Sequence, residues 1–454
     1  MRGSSHVNHR PYIPHNRSEE KKNPYICRLA PFATGFTLEW FDHFDSGEHT
    51  LYYVRRWGDK TLHSMPLTHS VVTVEGLEEH VEYDCYIESS KGHRSFVRPL
   101  RTDTPPKGCT VINYIHPEDN QYFFSGHFFG SPTLARLPGG RIVAGMDVFG
   151  NGSQNIALLF YSDDNGISWR YLTDMYQFFW STLFVKDEVL YLLGLSTENG
   201  NLQIACSTDE GNTWSAPVVI FYGSSAICPN GGILKAPMHL YSHKGRLYTT
   251  CEYGVWYKML YPGIISISET DDPMVPENWT WSELLRYDGK WKKETGTQKD
   301  TVEANIVASR DGQLYSFMRW GVGKILRLKI DDTDPEAPPV YDGVLDVNVS
   351  DSMFRIIDYK GRYYLITNKG MGRFILCVYV SDDLEHWDLV EDIIDYSHKH
   401  RGKYGFQYPA FLAGDEGLSL MLRSSFNEAN DFHNANYMLF TQLDNTLFNE
   451  EKNI

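Results

Sequence analysis

The sequence predicts an all-β protein, a β-propeller preceded by a small β-sandwich. Three observations support this prediction. A turn signature that ends in Trp returns along the chain, and a unit of short apolar strands recurs six times around it. The composition also fits, because 14% aromatic residues, 37 Gly and 21 Pro in 454 residues suit strands joined by many turns.

The turn signature has the form Ser-x-Asp-x-Gly-x-Ser/Thr-Trp. Complete copies occupy 162–169 and 207–214, and a degenerate copy without Gly occupies 381–387. The Asp carboxylate can accept hydrogen bonds from backbone N–H groups of the turn, Gly supplies a positive φ, and Trp packs beneath the hairpin. Each copy is therefore expected to close a hairpin between the third and fourth strands of a sheet.

The longer unit consists of a short apolar strand, a turn that usually contains Gly, and two more strands that lead to the signature position. The predicted first strands are 131–137, 181–186, 238–243, 303–309, 353–358 and 409–414. The last unit leaves little chain for an outer strand, so we expect 110–116 to close the ring by joining it. This pattern predicts six blades, with a seventh possible in 283–302 or 331–351.

The chain divides into three predicted segments. Residues 1–23 form a flexible N-terminus, 24–104 a sandwich, and 108–446 the propeller, which is expected to be catalytic. The sandwich resembles a fibronectin type III domain, with Trp40 as its core tryptophan and Tyr83 in a tyrosine corner. We assign no chemistry to it.

Charge and composition exclude several classes of partner. A net charge of −16 argues against nucleic acid or an anionic membrane. No stretch reaches the roughly 18 apolar residues of a membrane span, and residues 1–22 lack the apolar core of a secretory signal. We expect a cytoplasmic protein, or a secreted one whose leader lies outside this sequence. Seven Cys without a C-x-x-C pair predict no metal site, and we expect no cofactor.

The position of a functional site follows from the blade geometry. The turn signatures mark one face, so function is expected on the opposite face, where the chain enters first strands and leaves second strands. Polar and aromatic side chains at these points are the candidates: His127, Trp180, His239, Glu303, Asn305, Gln407 and Tyr408 at first strands, Asp147, Glu252, Tyr253, Arg319 and Arg423 after second strands, and His433 and Asn436 beyond them.

These residue types favour an acidic sugar as ligand. Arg pairs with carboxylates, aromatic rings stack on sugar faces, and His and Tyr can exchange protons near neutral pH. Each residue also has a structural interpretation. Arg319 and Glu303 can form a strand-end salt bridge, and His239 can be a core histidine.

The turn signature resembles the Asp-box of the sialidase superfamily. Residues 302–319 resemble the blade that carries the sialidase Glu and one carboxylate-binding Arg, and 405–409 the segment with its nucleophilic Tyr. Two parts of the resemblance are missing: Ser131 and its neighbours replace an Arg expected in the first blade, and 149–154 contain no acidic residue. We therefore do not expect sialidase activity.

The His127 region, 303–319 and 405–437 together resemble ulvan lyases and related rhamnosyl-glucuronate lyases or rhamnosidases. This resemblance implies cleavage at a uronic acid of an oligosaccharide or polysaccharide by β-elimination. The implied catalytic roles are Arg319 or Arg423 as carboxylate neutraliser, His127 as base and Tyr253 as acid, with His239 and Tyr408 as substitutes. The implied sugar-positioning residues are Trp180, Glu303, Asn305, Gln407, His433 and Asn436.

Two other functions stay open at this point. A glycoside hydrolase, rhamnosidase or sialidase-like, would use acidic groups among Glu303, Glu252 and Asp147. A sugar-binding propeller without catalysis would use the same aromatic residues.

Overall fold

The computed structural model describes residues 23–150, 152–223, 231–255, 259–285, 302–399, 402–415, 417–427 and 429–448. Their regular structure consists of strands and two short 3-10 turns, Pro276–Asn278 and Asn445–Phe448, which confirms the all-β prediction. None of these residues belongs to a helix of the length and apolarity that spanning a membrane requires. The predicted flexible segment lies, except for residue 23, outside the described residues.

The first seven strands form two antiparallel sheets. They are β1 (Tyr25–Phe32), β2 (Gly35–Phe41), β3 (His49–Arg55), β4 (His63–Leu67), β5 (Val71–Glu75), β6 (Glu82–Ser89) and β7 (Arg98–Arg101). The sheet orders are β1-β2-β5 and β4-β3-β6-β7. The Tyr83 hydroxyl accepts a hydrogen bond from the N–H of Glu78 at 3.3 Å, as in a tyrosine corner. Trp40 is only half-buried, and the fibronectin type III assignment stays a prediction.

Six further sheets follow along the chain. The first holds β9 (Phe128–Arg136), β10 (Ile142–Phe149), β11 (Ile156–Ser162) and β12 (Arg170–Tyr176). The second holds β13 (Phe179–Lys186), β14 (Val189–Leu195), β15 (Leu202–Ser207) and β16 (Val218–Phe221). The third holds β17 (Gly232–Leu234), β18 (Tyr241–His243), β19 (Arg246–Val255), β20 (Met259–Ser268) and β21 (Thr280–Trp281).

The remaining three sheets are similar. The fourth holds β22 (Val302–Ala308), β23 (Leu314–Arg319), β24 (Lys324–Ile330) and β25 (Val340–Asp346). The fifth holds β26 (Arg355–Tyr359), β27 (Arg362–Asn368), β28 (Ile375–Ser381) and β29 (Asp388–Asp395). The sixth holds β30 (Gly405–Gly414), β31 (Gly417–Ser425), β32 (Tyr437–Asp444) and β8 (Cys109–Tyr114).

The pairing of β8 with β32 confirms the expected closure by 110–116. Tyr437 lies opposite Tyr114, and Thr441 lies opposite Cys109. The sixth sheet also contacts the first, since an isolated bridge joins Phe129 to Ala435. The chain therefore returns to its starting sheet.

One first strand differs from the prediction. In place of a single strand over 238–243, β17 and β18 both pair with β19 and leave 235–240 outside the ladder. Pro237 lies in this gap, and proline has no N–H to donate to a sheet. Segment 331–351 contributes the outer strand β25, whereas most of 283–302 lies outside the described residues. The blade count stays a prediction.

The turn signatures have the expected hydrogen bonds. Asp164 accepts a bond from the N–H of Ser168 at 2.8 Å, Gly166 has a φ of +88°, and Trp169 is 1% exposed. In the degenerate copy, Leu384 takes the positive φ at +65°, and Asp383 accepts hydrogen bonds from the N–H groups of Glu385 and His386, each at 2.8 Å.

Buried charged groups join the N-terminal sheets to the rest of the chain. Arg28 donates to the carbonyls of Ile112 at 2.7 Å and Val111 at 3.0 Å, on β8. Arg98 donates to Asp119 and, at 2.8 Å, to the carbonyl of Ile26. Because both side chains of the Arg98–Asp119 pair are at most 1% exposed, removing one partner would leave a charge buried without compensation.

Arg98→Ala should therefore lower the free energy of unfolding by about 3 kcal/mol or more. Urea unfolding followed by fluorescence would measure this change. Arg94→Ala is the matched control, because the Arg94–Glu88 pair is exposed and should contribute less than about 1 kcal/mol. Equal effects of the two substitutions would contradict the assigned role of Arg98.

Candidate functional site

A cavity of about 570 Å³ lies where the chain enters first strands and leaves second strands. This is the end of the sheets opposite the turn signatures, as the sequence predicts. Each of the six sheets contributes a polar or aromatic side chain: in sheet order, Asp147, Trp180, Glu252, Glu303, Arg373 and Tyr408. The volume is in the range of small-molecule sites.

A repeated backbone irregularity places four of the lining residues. Ser131, Trp180, Glu303 and Tyr408 have φ between +48° and +60°, and each lies at a β-bulge where its first strand carries one residue more than its partner. A positive φ is unfavourable for residues with a Cβ, by roughly 1 kcal/mol or more. The same strained conformation at four equivalent positions indicates that these side chains are held toward the cavity.

Tyr408, Glu303 and Arg319 form a hydrogen-bonded cluster in the cavity wall. The Tyr408 hydroxyl donates to Glu303 Oε1 at 2.5 Å, and Arg319 donates to Glu303 Oε2 at 2.6 Å and to the Tyr408 hydroxyl oxygen at 3.2 Å. Asp351 accepts from Arg319 Nε at 2.8 Å. Burial and Glu303 raise the pKa of Tyr408, and the neighbouring Arg side chains oppose this rise.

Two further guanidinium groups face the same phenol ring. The centre of the Arg423 guanidinium lies 4.9 Å from the Tyr408 ring centroid, and that of Arg373 lies 5.5 Å away. Arg373 donates to Gln407 and to the Asp351 carbonyl, and Arg423 donates to the His433 carbonyl. Within the described ranges neither forms a salt bridge, so the cavity wall carries two buried cations without a carboxylate partner.

Asp147 lies near the end of β10, in the sheet next to the one that carries Tyr408 and Arg423. It is 1% exposed and accepts the N–H of Trp180 at 2.8 Å. Burial raises its pKa to about 6, although Ser131, the Trp180 N–H and the positive charge of Arg423 favour the ionised form. Gly130 makes room for it, because a Cβ at that position would come within 2.5 Å of Asp147 Oδ1.

Glu252 is the second buried carboxyl group of the cavity. It is 1% exposed, and its Oε1 has no hydrogen-bond partner among the described residues. Burial and the nearby Glu303 raise its pKa to about 8. Glu252 is therefore largely protonated at neutral pH.

Eight of the fourteen candidate residues named from the sequence line this cavity: Asp147, Trp180, Glu252, Glu303, Arg319, Tyr408, Arg423 and His433. His433 contacts Phe149 edge to face at 5.4 Å between ring centroids. The positive charge of Arg423, together with burial, lowers the pKa of His433 to about 3. This ring is neutral at physiological pH.

Four residues have implied proton-transfer roles in β-elimination. Tyr408 lines the cavity, whereas His127, Tyr253 and His239 do not. His127 hydrogen-bonds the Asp119 carbonyl through Nδ1 at 3.0 Å. Tyr253 packs in a hydrophobic cluster beside Trp281. His239 stacks on Phe411, bonds its carbonyl at 3.0 Å, and has its pKa lowered well below the usual value by burial. The structure does not bring His127 and Tyr253 together with Arg319 in this cavity.

The three predicted amide residues also lie behind the lining. Asn305 donates to the Phe354 carbonyl at 2.9 Å and accepts the Ile356 N–H at 3.2 Å, which ties the fourth sheet to the fifth. Asn436 bonds both backbone groups of Phe426. Gln407 holds Arg373. These side chains satisfy buried backbone groups or position a neighbour.

Several lining residues are not among the candidates named from the sequence. Arg373 lies in the loop between β27 and β28, five residues beyond the end of the second strand, and Gln154, Glu198 and Asn199 lie in the corresponding loops of the first two sheets. The signal that could have found them is the extension of these loops past the strand ends, since loops commonly carry functional residues. No group of His, Cys, Asp or Glu that could hold a metal ion occurs in the described ranges.

The free energy of unfolding of Glu252→Gln should rise relative to that of the wild type as the pH increases from 5 to 8. The folded protein holds the Glu252 proton with a pKa of about 8, whereas the unfolded chain releases it near pH 4.3, so the wild type loses stability over this interval and the amide does not. The relative gain should be on the order of 4 kcal/mol. Urea unfolding at pH 5 and pH 8 measures it, and a constant difference between the two proteins would contradict the burial of Glu252.

Comparison with known proteins supports the fold. The chain is similar to the Hadza microbial sialidase Hz136, with 14% identity, a TM-score of 0.52, and 96% of this chain and 95% of that one covered. It is similar to a protein of unknown function from Dyadobacter fermentans, with 12% identity, a TM-score of 0.50, and coverage of 74% and 99%. The Penicillium chrysogenum α-L-arabinanase has 15% identity, a TM-score of 0.49, and coverage of 74% and 98%. At these identities the likeness to the first two proteins concerns the fold alone.

No curated protein matches the chain. Residues 189–421 match the BNR repeat-like domain, and these 233 residues are just over half of the 454. The match runs from the second strand of the second sheet into the second strand of the sixth. It includes Glu252, Glu303, Arg319, Arg373 and Tyr408 of the cavity. The chain belongs to the BNR repeat-like domain family.

Proposed function

We propose that this protein is a glycoside hydrolase that acts on a sugar bearing a carboxylate, with the cavity as its active site in a six-bladed propeller. Tyr408 is the nucleophile, Glu303 its base, and Asp147 the general acid. The observation that carries the proposal is the 2.5 Å hydrogen bond from the Tyr408 hydroxyl to Glu303, inside a cavity that also contains two buried Arg side chains without carboxylate partners.

The arginine side chains account for recognition of the substrate carboxylate. Arg423 is 5% and Arg373 is 7% exposed, and keeping such cations buried without a counter-ion is costly. Burial lowers the pKa of Arg423 to about 10, which still leaves it charged at neutral pH. A bound carboxylate supplies the missing negative charge, and the guanidinium geometry suits two-point pairing.

The Tyr408–Glu303 pair accounts for the nucleophile. In the first step the phenol oxygen forms a bond to the anomeric carbon, the bond from that carbon to the leaving oxygen breaks, and the phenol proton passes to Glu303. A phenol that becomes anionic only as it attacks avoids the repulsion that an anionic carboxylate nucleophile meets beside a substrate carboxylate. The three Arg side chains stabilise the charge that develops on the phenol oxygen.

Asp147 accounts for protonation of the leaving oxygen. Its pKa of about 6 keeps a useful fraction of the carboxyl protonated in mildly acidic solution, as a general acid requires. In the second step the Asp147 carboxylate takes a proton from the attacking water, and Glu303 returns its proton to the departing phenolate. The enzyme is then restored, and the product has a new hydroxyl at the anomeric carbon.

Hydrolysis is favoured over β-elimination by the contents of the cavity. The base and acid first assigned to elimination, His127 and Tyr253, are not among its lining residues, whereas Asp147 and Glu303 are. The fold likeness to a protein named a sialidase also supports hydrolysis. Elimination nevertheless has a distinct product, an unsaturated uronate that absorbs ultraviolet light, so one experiment separates the two reactions.

The protein should release reducing sugar from acidic glycosides. A panel of sialosides, glucuronides, ulvan, gum arabic and rhamnogalacturonan, with neutral glycosides as controls, is assayed for reducing ends and ultraviolet absorbance in parallel. Reducing ends without new absorbance support hydrolysis, whereas new absorbance supports elimination. Turnover of neutral glycosides alone, or of nothing in the panel, would refute the proposal.

On the substrate so identified, Tyr408→Phe and Glu303→Gln should each lower kcat/KM by at least about 1,000-fold, because the nucleophile or its base is lost. Tyr161→Phe is the matched control, since this tyrosine lies on β11 beneath Arg141 on the side of the turn signatures. Unchanged melting curves would separate loss of chemistry from loss of fold. Near wild-type turnover by Tyr408→Phe would remove it as the nucleophile.

Activity should also fall as pH rises above about 6, because Asp147 must be protonated to act as acid and its pKa is about 6. Asp147→Asn should lower kcat/KM by about 100-fold or more for alkyl glycosides. The decrease should be much smaller for aryl glycosides, because their leaving groups need little protonation. Profiles of kcat/KM against pH for both substrate types measure this, with the exposed Asp388→Asn as control. Equal loss on both types would exclude Asp147 as the acid.

A further inference from the structure

Apart from Glu303, which is paired with Arg319, the basic and acidic side chains of the cavity lining come from different sheets. The arginine wall consists of Arg319, Arg373 and Arg423, from the fourth, fifth and sixth sheets. The acidic wall consists of Asp147, Glu198 and Glu252, from the first, second and third sheets. Since the sheets follow one another around the cavity, the two walls face each other.

No member of the acidic wall forms a salt bridge in the described part of the chain, although the positive charge of Arg423 acts on Asp147. Glu252 is 1% exposed, and its Oε1 has no hydrogen-bond partner. Glu198 accepts a hydrogen bond from the neutral amide of Gln154. Lys235 lies near Glu252, but its ammonium group donates to the Thr182 hydroxyl at 2.8 Å and the Ala236 carbonyl at 3.1 Å. The Oε1 of Glu252 is therefore available to accept a hydrogen bond from a ligand.

An aromatic ring completes the acidic wall of the cavity. Trp180 lies in the lining between the contributions of the first and third sheets, and the bulge in β13 holds it there. Phe179 stacks on the Trp180 ring with 5.0 Å between the ring centroids. Carboxyl groups beside an indole ring form a favourable environment for an ammonium ion, because the ring quadrupole attracts cations. A hydroxyl group would use the carboxyl oxygens but not the ring.

The position of Asp147 relates this wall to the reaction. As the proposed acid, Asp147 lies next to the leaving oxygen, and Glu198 and Trp180 belong to the second sheet, which follows that of Asp147 around the cavity. We infer that the acidic wall binds an ammonium group on the leaving residue, so that the substrate is an acidic sugar joined to an amino sugar with a free amine. This inference rests on the proposed hydrolysis.

Paired glycosides test the inference without turnover. The probes are 2-aminoethyl and 2-hydroxyethyl glycosides of glucuronic acid and of sialic acid, with 2-hydroxyethyl glucoside as the probe without a carboxylate. Binding to the Tyr408→Phe protein is measured by calorimetry. For at least one of the two acids, the aminoethyl glycoside should bind at least about tenfold more tightly than the hydroxyethyl glycoside.

The preference should depend on the acidic wall. Adding Glu198→Gln or Glu252→Gln should reduce the ratio of the two dissociation constants below about threefold, whereas Glu391→Gln, an exposed position on β29, should leave it unchanged. Glu198 is a half-exposed residue, so its variant keeps the test valid if Glu252→Gln does not fold. A ratio near one in the Tyr408→Phe protein, or a ratio that neither glutamine changes, would overturn the inference.

Failure of the proposed function would look different. If the acidic glycosides bind no better than the neutral glucoside, the arginine wall does not recognise a carboxylate, and the proposed function fails whatever the effect of the amine. If the acidic glycosides bind better but the amine has no effect, only the inference about the leaving residue fails. Absence of binding by every probe at millimolar concentration overturns both.

Discussion

The pairing of β8 with β32 is the constraint on which the rest of the structure depends. It joins the strand that follows the N-terminal sheets to the last sheet of the chain, and so removes an exposed sheet edge. Arg28 and Asn113 fasten the same strand to β1 through buried hydrogen bonds. The sixth sheet, which carries Tyr408 and Arg423, is thereby held against the first, which carries Asp147. A cavity formed by side chains from all six sheets requires this closure.

The site also depends on backbone strain, which is divided among four of the six sheets. Four inner strands bulge at equivalent points, and each bulge holds a residue with a Cβ at positive φ. Such conformations persist only where the surrounding structure over-determines them. Here the second strand of each sheet continues its ladder past the bulge, so the backbone cost is balanced by regular hydrogen bonds on either side. The nucleophile candidate and its base, Tyr408 and Glu303, are two of the four residues, which places the strain where rigid positioning matters most.

The sequence predicts the sheets better than the site. Apolar strands and Gly turns are local patterns, so five of the six first strands and the closing strand lie close to their predicted positions, and only Pro237 interrupts the third. The face of the site follows from the connectivity of the strands. Orientation does not follow from either: Asn305 and Asn436 lie at the expected positions, but their amides bond buried backbone groups, and Tyr253 packs into a core. Bulges leave no sequence signature when the residues involved are Ser, Trp, Glu and Tyr. Arg373 was not predicted because it lies in a loop beyond the end of a strand.

A residue that is missing from its expected sequence position can be replaced in the cavity by a residue from another position. The first sheet lacks the Arg that the resemblance leads us to expect there. The guanidinium carbon of Arg423, in the adjacent sixth sheet, nevertheless lies 4.5 Å from the Phe149 ring centroid of the first sheet. Residues 149–154 lack the expected acid, yet Asp147 supplies a buried carboxyl two residues earlier. Neighbouring sheets line the same cavity. A side chain with a given chemical function can therefore reach nearly the same point in the cavity from a strand of either sheet. Chemistry in such a ring depends on which groups reach the centre, and sequence position alone is a poor measure of that.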